Sequence, residues 1–451
     1  MDDGTRLVAA VRQGDATAVA ALLEAGADPD TVTEDGLPVL CAAIAAFDAA
    51  VARALVEGGA HPDRALPDGT TPLTRAVESG SPAVVAEVRG HEPRLRLAED
   101  ERTRLLDLAR SWCARDTEEE LHLRTGESGP VRKTLVRDGE YHHAWQVTLG
   151  GLTVRDGHAA ILTDLEWAFR MLTPVDELVA RAVRRRDPDH VDWHSAAWIL
   201  SERRSKETWS AVTAYRHSAR PEHRLFVLEA AFSYLLSFGS WRNSYEKEVT
   251  ELLAAWAREG DEDPKVLAQV LRVLGETDHE EQNATGLRHA AHPDARVRAR
   301  VPALLRNRST TAAPLDAAVR TALLDLAGDE DGEVRVGAGW VLSAEYDGGA
   351  EVTEVVVRLL RDPEARVRAG VAEAAAAGED RSAELADALA ALLDEDDFDM
   401  RLSAAYGLLR RDDPRTGDAI GRVGQTCEPA YWHDHRLSAV VSWERGGSAD
   451  G

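Results

Sequence analysis

Apolar residues in the first 90 positions of the chain return at a fixed spacing of 33 residues. The aligned positions are Leu7, Leu40 and Leu73, followed by Ala10, Ala43 and Ala76. Each leucine lies three residues before its alanine, which is the spacing of two side chains on one face of a helix. The turn dipeptide Asp35-Gly36 also returns, as Asp68-Gly69. A period of this length indicates stacked helical repeats rather than one large core.

One copy of the repeat, Asp68–Ala76, shows why each residue type suits its position. The opening Asp-Gly favours a tight turn, Thr71 is a natural helix N-cap, and Pro72 suits the first helical position. In the preceding copy Val39 takes the place of Pro72, so that helix start is capped less well. These motifs resemble ankyrin repeats over about residues 4–90, and the resemblance implies stacked helix pairs joined by loops.

A second repeat occupies the C-terminal half of the chain. An acidic turn is followed by an apolar residue and an arginine at Val297-Arg298, Val334-Arg335, Val367-Arg368 and Met400-Arg401, with spacings of 37, 33 and 33 residues. The pattern resembles HEAT repeats, specifically the short bilin-lyase type, with degenerate copies back to about residue 175. The resemblance implies that an acidic turn residue caps a helix and that each repeated arginine bonds acidic groups in a neighbouring repeat.

The helical pattern lapses between the two arrays, over about residues 121–162. Trp145–Leu149 alternates apolar and polar residues, Gly150-Gly151 offers a two-residue turn, and Leu152–Arg155 alternates again. Asp138-Gly139 marks another turn just before this segment. We predict a small β-meander here.

The predicted fold class is all-α, a double α-solenoid in which an ankyrin array is followed by a HEAT-like array, with a small β-containing connector. We expect ankyrin repeats over residues 1–98, a helical and β-meander connector over 99–172, HEAT-like repeats over 173–445 and a flexible tail over 446–451.

Charge narrows the class of partner. The chain has 53 Lys and Arg residues against 79 Asp and Glu residues, for a formal net charge of −26. Such a field repels nucleic acid phosphates and acidic membranes and attracts basic partners. The cysteines lie too far apart for a disulfide framework or a zinc knuckle, and no apolar signal core or membrane-length apolar run occurs. We therefore expect a cytoplasmic protein without a membrane role.

Histidines are the main candidates for chemistry. His190 and His194 lie four apart, a spacing that holds zinc if a third ligand converges, but without an H-E-x-x-H motif we interpret both as structural. His142-His143 falls in the predicted meander, where a pH or metal role competes with a solvated strand. His433-Asp434-His435 is interpreted as a surface cap.

Known HEAT-like enzymes do not fit the sequence. Deoxyhypusine hydroxylase resembles the C-terminal half in fold and binds iron through several His-Glu pairs, whereas this chain has only His91-Glu92 and His279-Glu280. HEAT-like DNA glycosylases need a basic face to grip DNA, which the net charge opposes. The chain has no P-loop, G-x-G-x-x-G or G-x-S-x-G motif. We assign no catalytic residue, no metal ligand and no cofactor.

We hypothesise that the protein is a non-catalytic cytosolic scaffold for protein recognition, and that its partner is a basic protein or peptide. In a sharper version of the hypothesis, the protein neutralises that partner. The candidate partner-binding residues are Trp145, Trp241, Glu34, Thr70, Asp331, Asp396 and Asp397. The alternative is an enzyme or enzyme accessory with a pocket in the central region lined by tryptophan and histidine, in which His142, His143, His190 or His194 would converge.

Overall fold

The computed structural model describes residues 2–236, 245–306, 315–346, 348–424, 426, 431 and 433–447. The chain forms two compact units, Met1–Asn243 and Ser244–Gly451. Both are built by stacking helices, and the only described sheet has three strands. The predicted all-α fold with a small β-containing connector is confirmed.

The N-terminal unit begins with three helix pairs that follow the 33-residue period. They are α1 (Asp3–Gln13) with α2 (Ala16–Glu24), α3 (Val39–Ala45) with α4 (Ala49–Glu57), and α5 (Pro72–Ser79) with α6 (Pro82–Val88). Helix α5 begins at Pro72 as predicted, and the Thr71 hydroxyl accepts a hydrogen bond from the Thr74 amide at 3.1 Å. Helix α3 has no side-chain cap, which confirms the weaker start of the middle repeat. Leu7, Leu40 and Leu73 are buried in one continuous apolar core.

The rest of this unit contains a small sheet and further helices. The elements are α7 (Pro93–Arg96), α8 (Glu99–Cys113), α9 (Thr117–Thr125), β1 (Arg132–Arg137), β2 (His143–Leu149), β3 (Leu152–Arg155), α10 (His158–Ala168), α11 (Val175–Arg184), α12 (Val191–Glu202), α13 (Lys206–Thr213) and α14 (Pro221–Leu236), with a short 3₁₀ helix at Ala214–His217.

The sheet is the predicted meander, with antiparallel strands in the order β1-β2-β3. Leu149 pairs with Leu152, and the two intervening glycines adopt φ values of 57° and 81°. Such left-handed angles suit a two-residue hairpin turn, which is why glycine is favoured at both positions. Val147 and Val154 turn their side chains into a small core with Trp112 and Leu121.

Buried polar contacts join this sheet to the third ankyrin repeat. The Asp138 carboxylate accepts hydrogen bonds from the Ser81 hydroxyl at 2.5 Å and the Ala83 amide at 3.0 Å, and it pairs with Arg155. Gly80 has a φ of 72°, and a Cβ placed there would lie 1.8 Å from the Arg155 carbonyl oxygen. The strand therefore packs against the repeat at backbone distance, with no room for a side chain.

The C-terminal unit stacks its helices in two layers. Helices α21 (Gly332–Ala344), α23 (Ala365–Ala377) and α25 (Phe398–Leu409) pack on one another in one layer, while α22 (Ala350–Leu359) and α24 (Ala383–Ala391) pack in the other. The helices are α15 (Glu246–Glu259), α16 (Pro264–Gly275), α17 (Gln282–His289), α18 (Ala295–Arg298), α19 (Val301–Leu304), α20 (Ala317–Leu326), α21 (Gly332–Ala344), α22 (Ala350–Leu359), α23 (Ala365–Ala377), α24 (Ala383–Ala391), α25 (Phe398–Leu409), α26 (Thr416–Val423) and α27 (His435–Gly447), with a 3₁₀ helix at Leu392–Asp394. Val334, Val367 and Met400, the apolar positions of the repeat, are all buried.

Candidate functional site

The repeated arginines of the C-terminal unit form a ladder of ion pairs from one repeat to the next. The two-bonded pairs are Arg298–Asp329 (2.7 and 2.9 Å), Arg335–Asp362 (2.8 and 3.0 Å) and Arg368–Glu395 (3.0 and 3.1 Å). This confirms the expected pairing, with one difference: Arg401 donates to the backbone carbonyls of Glu395 and Val423. Burial alone would raise the pKa of Asp329, but the hydrogen bonds from Arg298 hold it below its ordinary value. These acids are therefore committed to holding the repeats together.

Other acids of the same turns cap helices. Asp331 accepts the Glu333 amide at 2.8 Å at the start of α21, and Asp397 accepts the Met400 amide at 2.9 Å at the start of α25. Asp396 lies beside this second cap with its side chain exposed to solvent. Two of the three acids that the sequence analysis singled out in the C-terminal unit thus have a structural task, although the carboxylates stay partly or fully accessible.

An open groove of about 560 Å³ lies next to the first rung of the ladder. Ala290, Ala322 and Leu326 supply an apolar part of its lining. Asp325 and Glu330 supply carboxylates, and the Glu330 side chain is 88% exposed. The groove thus combines an apolar wall with acids that remain open to solvent.

The negative charge of the chain is concentrated in the same unit. Residues 244–451 include 41 Asp and Glu against 24 Lys and Arg, a formal net charge of −17, compared with −9 for residues 1–243. Because the ladder uses arginines in pairs with acids, the surplus is carried by carboxylates outside it.

The candidates of the N-terminal unit lie in separate places. Glu34 is exposed and lines a groove of about 360 Å³, while Thr70 lines another of about 160 Å³. The Thr70 hydroxyl is already bonded to Asp68 at 2.6 Å. Trp145 is half-buried against the core beneath the sheet, with the Lys133 amine 5.2 Å from its ring centre. Trp241 lies outside the described residues.

Histidines far apart in sequence come together between β2 and the start of α12. His142 stacks on His194 with 3.9 Å between ring centres, and His194 lies 6.2 Å from the ring of Trp198. Burial, together with the neighbouring His142, lowers the pKa of His194 to about 4, so both rings stack in their neutral form at pH 7. Trp198 is 38% exposed, which makes it an accessible aromatic surface beside the pair.

Next to this stack, His190 forms a buried ionic network. Its Nε2 atom lies 2.9 Å from Asp156, its Nδ1 atom lies 3.4 Å from Asp192, and Arg185 lies 3.2 Å from the second oxygen of Asp156. Burial by itself would lower the pKa of His190, but the hydrogen bond to Asp156 and the nearby charge of the Asp192 carboxylate raise it to about 9. Asp156 also accepts the Trp145 amide, so the network fastens β2 to α12. This agrees with the structural interpretation of His190.

The alternative hypothesis from the sequence had these histidines converge, but it did not predict the stacking of His142 on His194, and His142-His143 is half-buried rather than a solvated strand. The sequence did contain a signal for the α12 side of this cluster. His190, His194 and Trp198 are spaced four residues apart, which places them on one face of a helix. His142 could not be placed there without the tertiary structure. In addition, His143, Asp187 and Asp189 each place one ligand atom within 4.8 Å of the other two.

Comparison with known proteins supports the repeat assignment. The family model for ankyrin repeats (three copies) matches residues 7–94, and that for HEAT repeats matches residues 319–410. The chain thus carries both repeat types, which suggest a protein-interaction scaffold, while the bilin-lyase variant stays a prediction.

A search of curated proteins finds no match. Among solved structures, the X-ray structure of YibA from Escherichia coli matches at 15% identity and a TM-score of 0.42, covering 60% of this chain and 93% of that one. No helix in the described part of the chain is long and apolar enough to cross a membrane.

Proposed function

We propose that this protein is a non-catalytic cytosolic scaffold that binds a basic protein or peptide through the acidic turns of its C-terminal unit. The observation that carries the proposal is the groove beside the first ladder rung, with apolar lining and solvent-exposed Asp325 and Glu330. The concentration of net negative charge in the same unit adds to it.

The groove has the chemistry that a long basic side chain requires. An arginine or lysine lays its methylene stem along apolar surface while its charged head stays near water. Ala322 and Leu326 offer such a surface, and Asp325 and Glu330 offer acceptors for the head group. A guanidinium forms two parallel bonds with a carboxylate, so arginine is the better fit.

Within the C-terminal unit, Asp331, Asp396 and Asp397 would add long-range attraction along the turns. Separate contacts on the N-terminal unit would come from Glu34 and Thr70 in the ankyrin repeats and from Trp145 in the sheet. In the sharper version, the protein neutralises a basic toxin or nucleic-acid-binding protein by covering its charge. Association would then be fast and strongly weakened by salt.

The test is affinity capture from native lysate with the full-length protein, followed by washes at low and then high salt. We expect a basic protein to be retained at low salt and released at high salt, since screening shortens the range of surface electrostatics to about 3 Å at 1 M salt. Retention of a neutral or acidic protein that resists high salt would contradict the proposal.

A ligand-binding or catalytic role for the central region is the alternative. It is favoured by the approach of His142, His143, His190 and His194, which come from two distant segments. His190 is held by two carboxylates, so the accessible groups would be the other three and Trp198. A small molecule, rather than a protein, copurifying with the chain would support this role.

A further inference from the structure

We propose that His143, Asp187 and Asp189 form a binding site for a divalent transition-metal ion in the N-terminal unit. One ligand atom from each side chain lies within 4.8 Å of the other two. Ligands about 2.0–2.2 Å from a zinc ion in tetrahedral geometry lie roughly 3.3 Å apart. To close around such an ion, the ligand atoms need to approach one another by at most about 1.5 Å.

The backbone holds the two segments of the site in place. His143 is the first residue of β2, and its amide donates to the Asp189 carbonyl at 3.2 Å. The Asp189 amide donates to the Asp187 carboxylate at 3.1 Å, and the His190 amide donates to the Asp187 carbonyl at 3.1 Å. The turn is thus fixed on both sides, and the buried His190 network anchors the residue that follows it. A site built on such a support keeps its ligands together before an ion arrives.

Nearby cations do not neutralise the two carboxylates. Three arginines precede Asp187 directly, yet Arg184 bonds the Cys113 carbonyl, Arg185 pairs with Asp116 and Asp156, and Arg186 pairs with Glu222. Within the described ranges, neither Asp187 nor Asp189 forms an ion pair with a lysine or arginine. The negative charge of these two carboxylates, which lie beside the His143 imidazole, is therefore not compensated by a lysine or arginine. A divalent ion would balance it.

The donor set indicates the class of metal. One imidazole nitrogen with two carboxylate oxygens suits Zn²⁺, Co²⁺ or Mn²⁺, whereas Ca²⁺ and Mg²⁺ prefer oxygen ligands alone. Asp189 is exposed and the other two ligands are half-buried, so water can occupy the remaining coordination positions. We therefore expect an exchangeable ion rather than a permanently enclosed one.

The test is calorimetric titration of chelator-treated, full-length protein with Zn²⁺, repeated with Co²⁺ while its visible absorption is recorded. We expect one saturable site per chain, and at least about a tenfold loss of affinity in Asp187→Asn and Asp189→Asn, since loss of even an outer-shell partner costs 10–100-fold. His143→Gln should also remove the absorption change due to nitrogen coordination. Both asparagine variants keep an oxygen acceptor, and Asp189 is exposed, so the fold should persist and circular dichroism checks it.

Matched controls are His91→Gln and Asp176→Asn, which change exposed residues of the same types in the same unit. They should leave the affinity for Zn²⁺ unchanged. The proposal is overturned if no saturable site is found, or if folded D187N and D189N bind Zn²⁺ as tightly as the unchanged protein.

Discussion

Replacing Arg335 by methionine tests whether the arginine ladder holds the HEAT repeats together. The Arg335 side chain is 12% exposed, and its partner Asp362 is 8% exposed. Besides its two bonds to Asp362, Arg335 donates to the carbonyls of Asp329 and Glu330 at 2.9 and 3.0 Å. Methionine preserves much of the apolar stem but removes every one of these donors.

The expected loss follows from the burial of the partner carboxylate. Removing one member of a buried ion pair costs about 3–5 kcal/mol, whereas an exposed pair is worth about 0–1 kcal/mol. Because neither side chain of the Arg335–Asp362 pair is fully buried, we take the lower end of the buried range, about 3 kcal/mol. Asp362→Asn in the same chain should recover part of this loss, because an uncompensated charge no longer remains.

Hydrogen–deuterium exchange of α21 and α23 is the appropriate assay, because it reports local opening in a chain with two units. A loss of about 3 kcal/mol corresponds to roughly a hundredfold lower protection, at 1.4 kcal/mol for each factor of ten. The control is Arg366→Met, whose side chain is 53% exposed in a surface pair, and its protection should not change measurably. Equal protection in Arg335→Met and the unchanged protein would refute the structural account of the ladder.

Three further predictions concern the N-terminal unit. In thermal unfolding, Gly80→Ala should lower the melting temperature of this unit much more than Gly69→Ala does. Both positions have a positive φ, but only at Gly80 would the added Cβ lie against a backbone oxygen. Similar melting temperatures for the two variants would contradict the packing described. His190 has a raised pKa of about 9, so the stability that its protonated form adds is complete below pH 6.5 and is lost as the pH rises to about 9. His190→Gln should flatten the stability profile over that window, and an unchanged profile would argue against the ion pair. Thr71→Ala should cost about 1 kcal/mol in urea unfolding through loss of the α5 cap, and Thr71→Ser should cost less; equal losses would point to packing instead.

Local signals made the repeats predictable from sequence. Thr71 and Pro72 start a helix for reasons contained within one turn, and the alternation of Trp145–Leu149 marks a strand without reference to distant residues. The Arg–acid ladder was expected as well, but from the resemblance to HEAT repeats rather than from local signals.

Contacts between unrelated segments were not predictable in this way. His142 and His194 are 52 positions apart and meet only because the sheet packs beside α12. Likewise, the sequence does not distinguish Asp329, which is buried in two bonds with Arg298, from Glu330, which lies 3.4 Å from the same arginine and stays exposed. That difference depends on the direction each side chain takes once the repeats have stacked.

The most direct test of the proposed function compares two charge-neutralised variants in binding the captured basic partner. The first combines Asp325→Asn near the end of α20 with Glu330→Gln and Asp396→Asn in the acidic turns. The second removes three exposed acids elsewhere in the same unit, by Glu351→Gln, Glu384→Gln and Asp418→Asn. We measure the dissociation constant by calorimetry over a series of salt concentrations.

Both variants change the net charge of the protein equally, so a difference between them identifies the surface. For the first variant, the account predicts a dissociation constant at least about tenfold larger, and one that changes less with salt concentration. For the second variant it predicts little change in either. If both variants weaken binding equally, the net negative charge of the protein explains the attraction and no particular surface is identified. No effect of the first variant would contradict the assignment of partner recognition to the acidic turns.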